Sequence, residues 1–234
     1  MTISIIIPTF NEAATIGKLI NYLKQHSDHS IADIIVSDGG SEDNTIELAN
    51  KAGAHAVVSP AKGRAAQMNY GASIAGGEVF YFVHADCFPP ETFAQDIKEA
   101  LGQGYRIGRY FTKFDSPRHI LKINAWFTRF DFFICMGGDQ TLFVSKSLFQ
   151  QCKGFKESMQ IMEEYEFCRR ARKRAKYKIM KGAVLVSARK YDTNTWLKVQ
   201  LANLKVVRMF KKGATQQEMV QKYQNMLHYR KNAF

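Results

Sequence analysis

Three short apolar runs in the first 86 residues each end on polar residues, and this arrangement limits the fold more than any other feature of the chain. Residues 3–7 run into Thr9, Asn11 and Glu12, residues 31–37 into Asp38 and Ser41, and residues 79–84 into Asp86. Helical spacing separates them, with Ile16, Leu19, Ile20 and Leu23 within 13–25 and a second pattern over 42–53, where Gly53 is placed as a stop. A third strand is expected at 54–59, a third helix at 64–75 and the fourth strand at 79–84. Apolar strands alternating with helices predict a doubly wound α/β fold, whose mostly parallel central sheet is covered on both faces. Open sheets of this kind bind ligands beyond the carboxyl ends of their strands, which is where the polar clusters fall.

After residue 101 the alternation weakens. A strand is expected at 104–114, an amphipathic helix at 119–134, a strand at 141–145, a helix at 162–176, and two helices over 196–229 broken near Gly213. The expected organisation is one α/β domain over 1–190 with a basic helical extension over 191–234, a size that suits a single core and a small appendage. With 46% hydrophobic and 23% charged residues, the chain is neither disordered nor fibrous in composition. Its four cysteines form no CxxC pair, which disfavours a zinc site and points to reduced thiols. No signal-like N-terminus and no apolar stretch of spanning length is seen, so a cytoplasmic protein is expected.

Charge divides the chain. Residues 1–100 carry 6 Lys/Arg against 12 Asp/Glu, and residues 101–234 carry 27 against 9, giving the net +12. Residues 169–190 alone hold ten Lys/Arg and no acid. A basic half calls for an anionic partner: a phosphate-bearing substrate, an acidic membrane surface or nucleic acid.

The loop of Pro8, Thr9, Asn11 and Glu12 stands where a dehydrogenase would carry its glycine-rich turn, yet it contains no glycine. A nucleotide here would be gripped by side chains. Asp38 could accept from a ribose hydroxyl or a base N–H, or could simply be a turn aspartate before two glycines. Arg64 opens a helix, against the macrodipole, so it is either solvated or beside a bound anion such as a diphosphate. Asp86 ends a buried strand and suits a divalent cation bridging two phosphates. His84 is a second ligand or a packed core residue. Glu163, Glu164 and Glu166 crowd one helix start, where one carboxylate could serve as a general base and the rest could compensate the helix dipole.

In order along the chain, IIIPTFNE at 5–12, VSDGGSEDNT at 36–45, GRAAQMN at 63–69, His84-Ala85-Asp86 and Glu163-Glu164 resemble the family 2 inverting glycosyltransferases of GT-A fold. The match covers roughly residues 3–175. The resemblance implies nucleotide contacts from Thr9, Asp38 and Arg64, with Pro8 and Glu12 in the same loop, and a Mg²⁺ or Mn²⁺ ion on Asp86, the last residue of the family's Asp-x-Asp motif. It implies Glu164 as catalytic base at the second position of the Glu-Asp motif. His84 replaces the first aspartate of the metal motif, as in a compact subgroup, and Glu164 replaces the usual aspartate base. The Gln-x-x-Arg-Trp signature of processive synthases is not evident. Asp139, Gln140 and Glu163 are the candidates for acceptor recognition. The expected reaction is single transfer from a nucleoside-diphosphate-sugar, UDP-linked rather than GDP-linked, to a hydroxyl acceptor; a lipid-linked acceptor and peripheral contact of the basic half with the inner membrane face are expected, and no nucleic-acid partner. The rival readings are a sugar-phosphate nucleotidyltransferase, which would release pyrophosphate, and a non-catalytic basic protein with salt-dependent membrane or nucleic-acid binding.

Overall fold

The computed structural model describes residues 1–132 and 140–228. Its strands are β1 (Ile3–Thr9), β2 (Ile31–Asp38), β3 (His55–Val58), β4 (Val79–Phe82), β5 (Cys87–Phe88), β6 (Ile107–Asp115), β7 (Leu142–Ser145) and β8 (Tyr177–Ser187). They form one sheet in the order β3-β2-β1-β4-β7-β6-β8-β5. The four pairings β3-β2, β2-β1, β1-β4 and β6-β8 are parallel, and β7 and β5 run against their neighbours. The α/β fold with a mostly parallel central sheet is as the sequence implies.

β1 shows why four of residues 3–7 are isoleucine; Ser4, the exception, is buried with its hydroxyl accepting from Gly77 N. Ile3, Ile5 and Ile7 enter one core with Leu19, Ile20 and Leu23 of α1 (Ile16–Gln25), while Ile6 enters the opposite core with Ala65, Met68 and Ala72 of α3 (Arg64–Ile74). Alternate side chains leave opposite faces of a strand, so a strand buried on both faces is apolar at every step. Each such side chain contributes about 1.5–3 kcal/mol of burial. α2 (Thr45–Lys51) and α4 (Phe93–Gly102) share the first face through Ala49 and Phe93. The second face adds α6 (Lys146–Gln151) and α7 (Glu163–Ala171) through Leu148 and Phe167. Gly71 is where α3 meets β1, since a Cβ there would stand 2.5 Å from the Ile6 side chain.

Several local expectations change. Pro8 does not stop β1: the strand continues to Thr9, with Pro8 opposite Ser37. β4 pairs β1 only as far as Ile6, so Pro8 lies where the second neighbour has ended and its missing N–H costs nothing. The helix expected to reach residue 176 ends at Ala171, and β8 begins six residues later. Half of the basic run at 169–190 is therefore a strand between β6 and β5. The helix expected over 119–134 is α5 (His119–Phe127).

The C-terminal segment forms α8 (Trp196–Lys211) and α9 (Gln216–Met226), broken at Gly213 as expected. Val199 and Ala202 of α8 pack with Leu121 and Tyr191, and Val206 packs with Met219 and Val220 of α9 and with Ile161. Among the described residues, no helix is long and apolar enough to cross a membrane, and the buried Cys87, Cys152 and Cys168 are in no disulfide.

Candidate active site

The loops after β1 and β2 are laced together. Asp38 is fully buried, and its carboxylate accepts from Thr9 Oγ1 (2.9 Å), Ser41 Oγ (2.6 Å), Gly40 N (2.8 Å) and Ser41 N (2.6 Å). Asn11, held at φ 54°, donates its N–H to Ser41 Oγ, and its side-chain oxygen accepts from Glu42 N. Gln67 of α3 donates to the carbonyls of Thr9 and Ser37. It crosses so close that a Cβ on Gly39 would lie 2.9 Å from its amide nitrogen, which is why residue 39 is glycine. Pro8 and Thr9 are buried in this arrangement.

Opposite these loops stands the first turn of α7. Met162 precedes it in the left-handed region at φ 65°, a conformation that costs a non-glycine residue about 1 kcal/mol or more and that clusters at functional sites. The three following acids do not share a role. Glu166 is an internal anchor, with both carboxylate oxygens on Arg170 and one of them 3.1 Å from Lys156 Nζ. Glu163 is 2% exposed and lies 2.9 Å from Arg64 Nε, an ion pair without hydrogen-bond geometry, so neither of its oxygens receives a hydrogen bond. Glu163 thus faces the opening of α3 rather than Gln140.

Glu164 Oε1 lies 3.0 Å from His84 Nε2 with both side chains buried, and Glu164 Oε2 has no hydrogen-bond partner. Burial pushes the Glu164 carboxyl above the usual carboxylate range, His84 drawing it part of the way back. Burial opposes charging of His84, yet the Glu164 carboxylate holds its pKa above the ordinary histidine value, with the fields of Arg64 and Asp86 also reaching it. His84 is therefore committed to Glu164. A small cavity brings Glu164 together with Gln140, Arg109 and Tyr177. Gln140 is buried at its wall, whereas Asp139 lies outside the described residues.

Asp86 follows β4, as expected, but it stands in a different environment from the one the motif implies. Arg189, in a short turn at Arg189–Tyr191 directly after β8, donates from Nη2 to Asp86 Oδ2 at 2.9 Å and to Glu12 Oε1 at 2.8 Å, and from Nη1 to Glu12 Oε2 at 3.0 Å. Sequence reasoning passed over Arg189 as one of ten bases in a run, and it is separated from Glu12 by 177 positions. Arg109 was missed likewise: it is buried, donating to the carbonyls of Thr128 and Phe130. The Mg²⁺ or Mn²⁺ expected on Asp86 would have to displace the Arg189 guanidinium from that carboxylate. The carboxylate already faces a guanidinium, His84 faces Glu164, and no group of three His, Cys, Asp or Glu side chains among the described residues could hold a metal ion.

The model of glycosyl transferase family 2 matches residues 4–157. The chain belongs to this family. Glycosyltransferase AglJ of Haloferax volcanii is 45% identical over 62 residues, 26% of this chain and 20% of that protein, so the match spans about a fifth of the relative's length. Across the whole fold, the structure is similar to that of S. aureus TarS 1–349 in complex with UDP-GlcNAc, with a TM-score of 0.66 at 16% identity, covering 97% of this chain and 71% of that one. It is similar too to the mannosyltransferase PcManGT from Pyrobaculum calidifontis in complex with GDP-Man and Mn²⁺, with a TM-score of 0.66 at 17% identity, covering 90% and 63%. Family membership and fold together give a glycosyl transferase family 2 domain of GT-A-like architecture.

Proposed function

We propose that this glycosyltransferase moves a sugar from a nucleoside-diphosphate-sugar, UDP-linked, to an acceptor hydroxyl with inversion at the anomeric carbon. The observation that carries the reading is the Glu164–His84 pair: a buried carboxylate with one oxygen held at 3.0 Å by an imidazole and the other without a hydrogen-bond partner. A base that takes a hydroxyl proton near neutral pH works best when its pKa lies above the ordinary carboxylate value, and burial supplies that here. The acceptor oxygen loses its proton to Glu164 and forms the bond to the anomeric carbon. The bond from that carbon to the diphosphate oxygen breaks, and its electron pair leaves with the nucleoside diphosphate.

The laced loops of Pro8, Thr9 and Asp38 hold the base and ribose. The diphosphate lies toward Arg64 and the start of α3, whose N-cap Gly63 at φ 108° makes no side-chain cap and leaves the first turn open to an anion. Gln140 and Asp139 are assigned to acceptor recognition, and Glu163, expected there too, instead stands behind Arg64. Residues 1–190 form the transferase unit and 191–234 its helical extension. The acceptor is lipid-linked and met at the inner face of the membrane. α5 supports this: Ile120, Ile123, Trp126 and Phe127 are exposed on one side of it, with Phe132 just beyond and exposed Arg118, Lys122 and Arg129 around them, a pattern of interfacial helices.

The test is a thermal-shift screen of UDP, GDP and their sugar conjugates, followed by a transfer assay with Glu164→Gln. Stabilisation by one nucleotide class, with transfer abolished and binding kept in the variant, is expected. Transfer that survives in Glu164→Gln would remove Glu164 from the role of base. Co-sedimentation with vesicles rich in phosphatidylglycerol, lost on Ile123→Glu, checks the membrane contact.

A further inference from the structure

We infer that α9 is a positioning element for the proposed base, and that its Gln216 sets the entry to the helix that carries Glu164. The inference rests on the reading of Glu164 as base. Its parts lie beyond residue 157, where the family match ends. α7 begins without a side-chain cap: Met162, in the left-handed region, takes the cap position and makes no side-chain hydrogen bond there. A helix without a cap depends, at that end, on the chain that enters it. Residues 159–161 are that chain, and one side chain of α9 holds all three. Gln216 Oε1 accepts from Gln160 N at 2.9 Å and from Ile161 N at 3.1 Å, and Gln216 Nε2 donates to Met159 Sδ at 3.1 Å. Backbone N–H groups are met only by the oxygen of an amide, so the two donors also fix which way the Gln216 side chain points.

Packing acts in the same direction. The buried Ile161 enters a small core with Val206 of α8 and with Met219 and Val220 of α9. Met162 packs against this core and also against the one that α7 shares with the sheet. Further along α7, the Arg169 guanidinium lies over the Phe210 ring of α8, 5.3 Å from its centroid. Gln216 is itself held in place, as the first residue of α9, directly after Thr215, whose capping box with Glu218 closes the helix start. Only Met162 and Glu163 stand between Ile161 and Glu164. A shift of about 1 Å in the entry therefore displaces the carboxylate against His84 and against an acceptor hydroxyl, and misplacement of that size costs about a hundredfold in rate. Gln216 touches none of the reacting groups; it acts through the backbone before Glu164.

The test reads the Glu164–His84 pair directly. In the ¹⁵N-labelled full chain, the ring resonances of His84 are identified by their loss in His84→Asn. In Gln216→Ala they should move toward the position they take in Glu164→Gln. In Gln216→Glu, whose carboxylate still accepts from both N–H groups, they should return to the wild-type position. Release of UDP from UDP-glucose and UDP-N-acetylglucosamine should fall about tenfold in kcat in Gln216→Ala, with the donor KM within about twofold, and recover in Gln216→Glu. Thr215→Ala is the control for stability alone: it loosens α9 at the same turn and should leave both readouts unchanged. Resonances and UDP release that stay at wild-type values in Gln216→Ala overturn this inference and leave the transferase reading in place. Equal changes in Gln216→Ala and Thr215→Ala also overturn it, because they make Gln216 a stabiliser of the extension and nothing more. Transfer that survives in Glu164→Gln removes the base and this inference with it. Should the wild type release UDP from neither sugar, the UDP-sugar reading falls, and the His84 resonances alone decide whether Gln216 places the pair.

Discussion

Asp38 and Glu164 are both buried carboxylates at the same cleft, and they are treated in opposite ways. Asp38 accepts four hydrogen bonds from Thr9, Gly40 and Ser41, none of them from a cation. Among the described residues Glu164 has one hydrogen-bond partner, His84, and an oxygen left over. Burial of a charge is tolerated when donors replace water and is costly when they do not. The first acid is part of the scaffold. The second keeps an unspent capacity to bind a proton, held in place by the packing of α7 and by the strained Met162 before it. Stability and reactivity are thus assigned to different carboxylates of one site.

The largest effect that would test this contrast is on Glu164→Gln, which should lower transfer by about 10²–10⁴-fold, the range of a general base, while the melting temperature stays within a few degrees. A large loss of stability instead would show Glu164 to be scaffold as well. Asp38→Ala is the reverse experiment. It strands the buried Thr9 hydroxyl and frees donors on the more exposed Gly40 and Ser41, and should cost about 1–3 kcal/mol in urea unfolding, and the loss of nucleotide affinity should follow from the loosened loop.

His84→Asn sharpens the comparison through pH. His84 draws the Glu164 pKa downward against burial, so its removal lets that pKa rise further. Glu164 must be deprotonated to act, and the acid limb of the rate profile should therefore move to higher pH; a limb that moves down, or stays, would separate the histidine from the base. The smallest effect belongs to a satisfied carboxylate on the surface. Glu218 closes a capping box with Thr215 at the start of α9, and Thr215→Ala should cost about 1 kcal/mol with transfer unchanged.

Much of this could be read from the sequence where the physics is local. β1 and β2 announce themselves because burial on two faces demands apolar residues at every step, and the polar clusters that end them mark the cleft. β8 was hidden because Lys178 and Lys181 interrupt its apolar residues, and because its pairing with β6 shifts register between Arg109 and Phe111, so no clean alternation survives. The pairing of Glu164 with His84 across 80 positions has no local signal at all. Nor does the left-handed turn at Met162, a residue that seldom adopts one.

The contact between Glu12 and Arg189 also orders events in time. Separations of 177 residues for Glu12 and 103 for Asp86 mean that, during synthesis at about 5–20 residues per second, the two acids wait roughly 5–35 seconds before the arginine that pairs with both is made. The strands β1 to β4 can gather in that interval around their apolar cores, but with two carboxylates uncompensated at their carboxyl ends. A vectorially emerging chain would hold its cleft open and acidic until β8 is inserted, so the last long strand to enter the sheet is also followed by the guanidinium that ties Glu12 to Asp86.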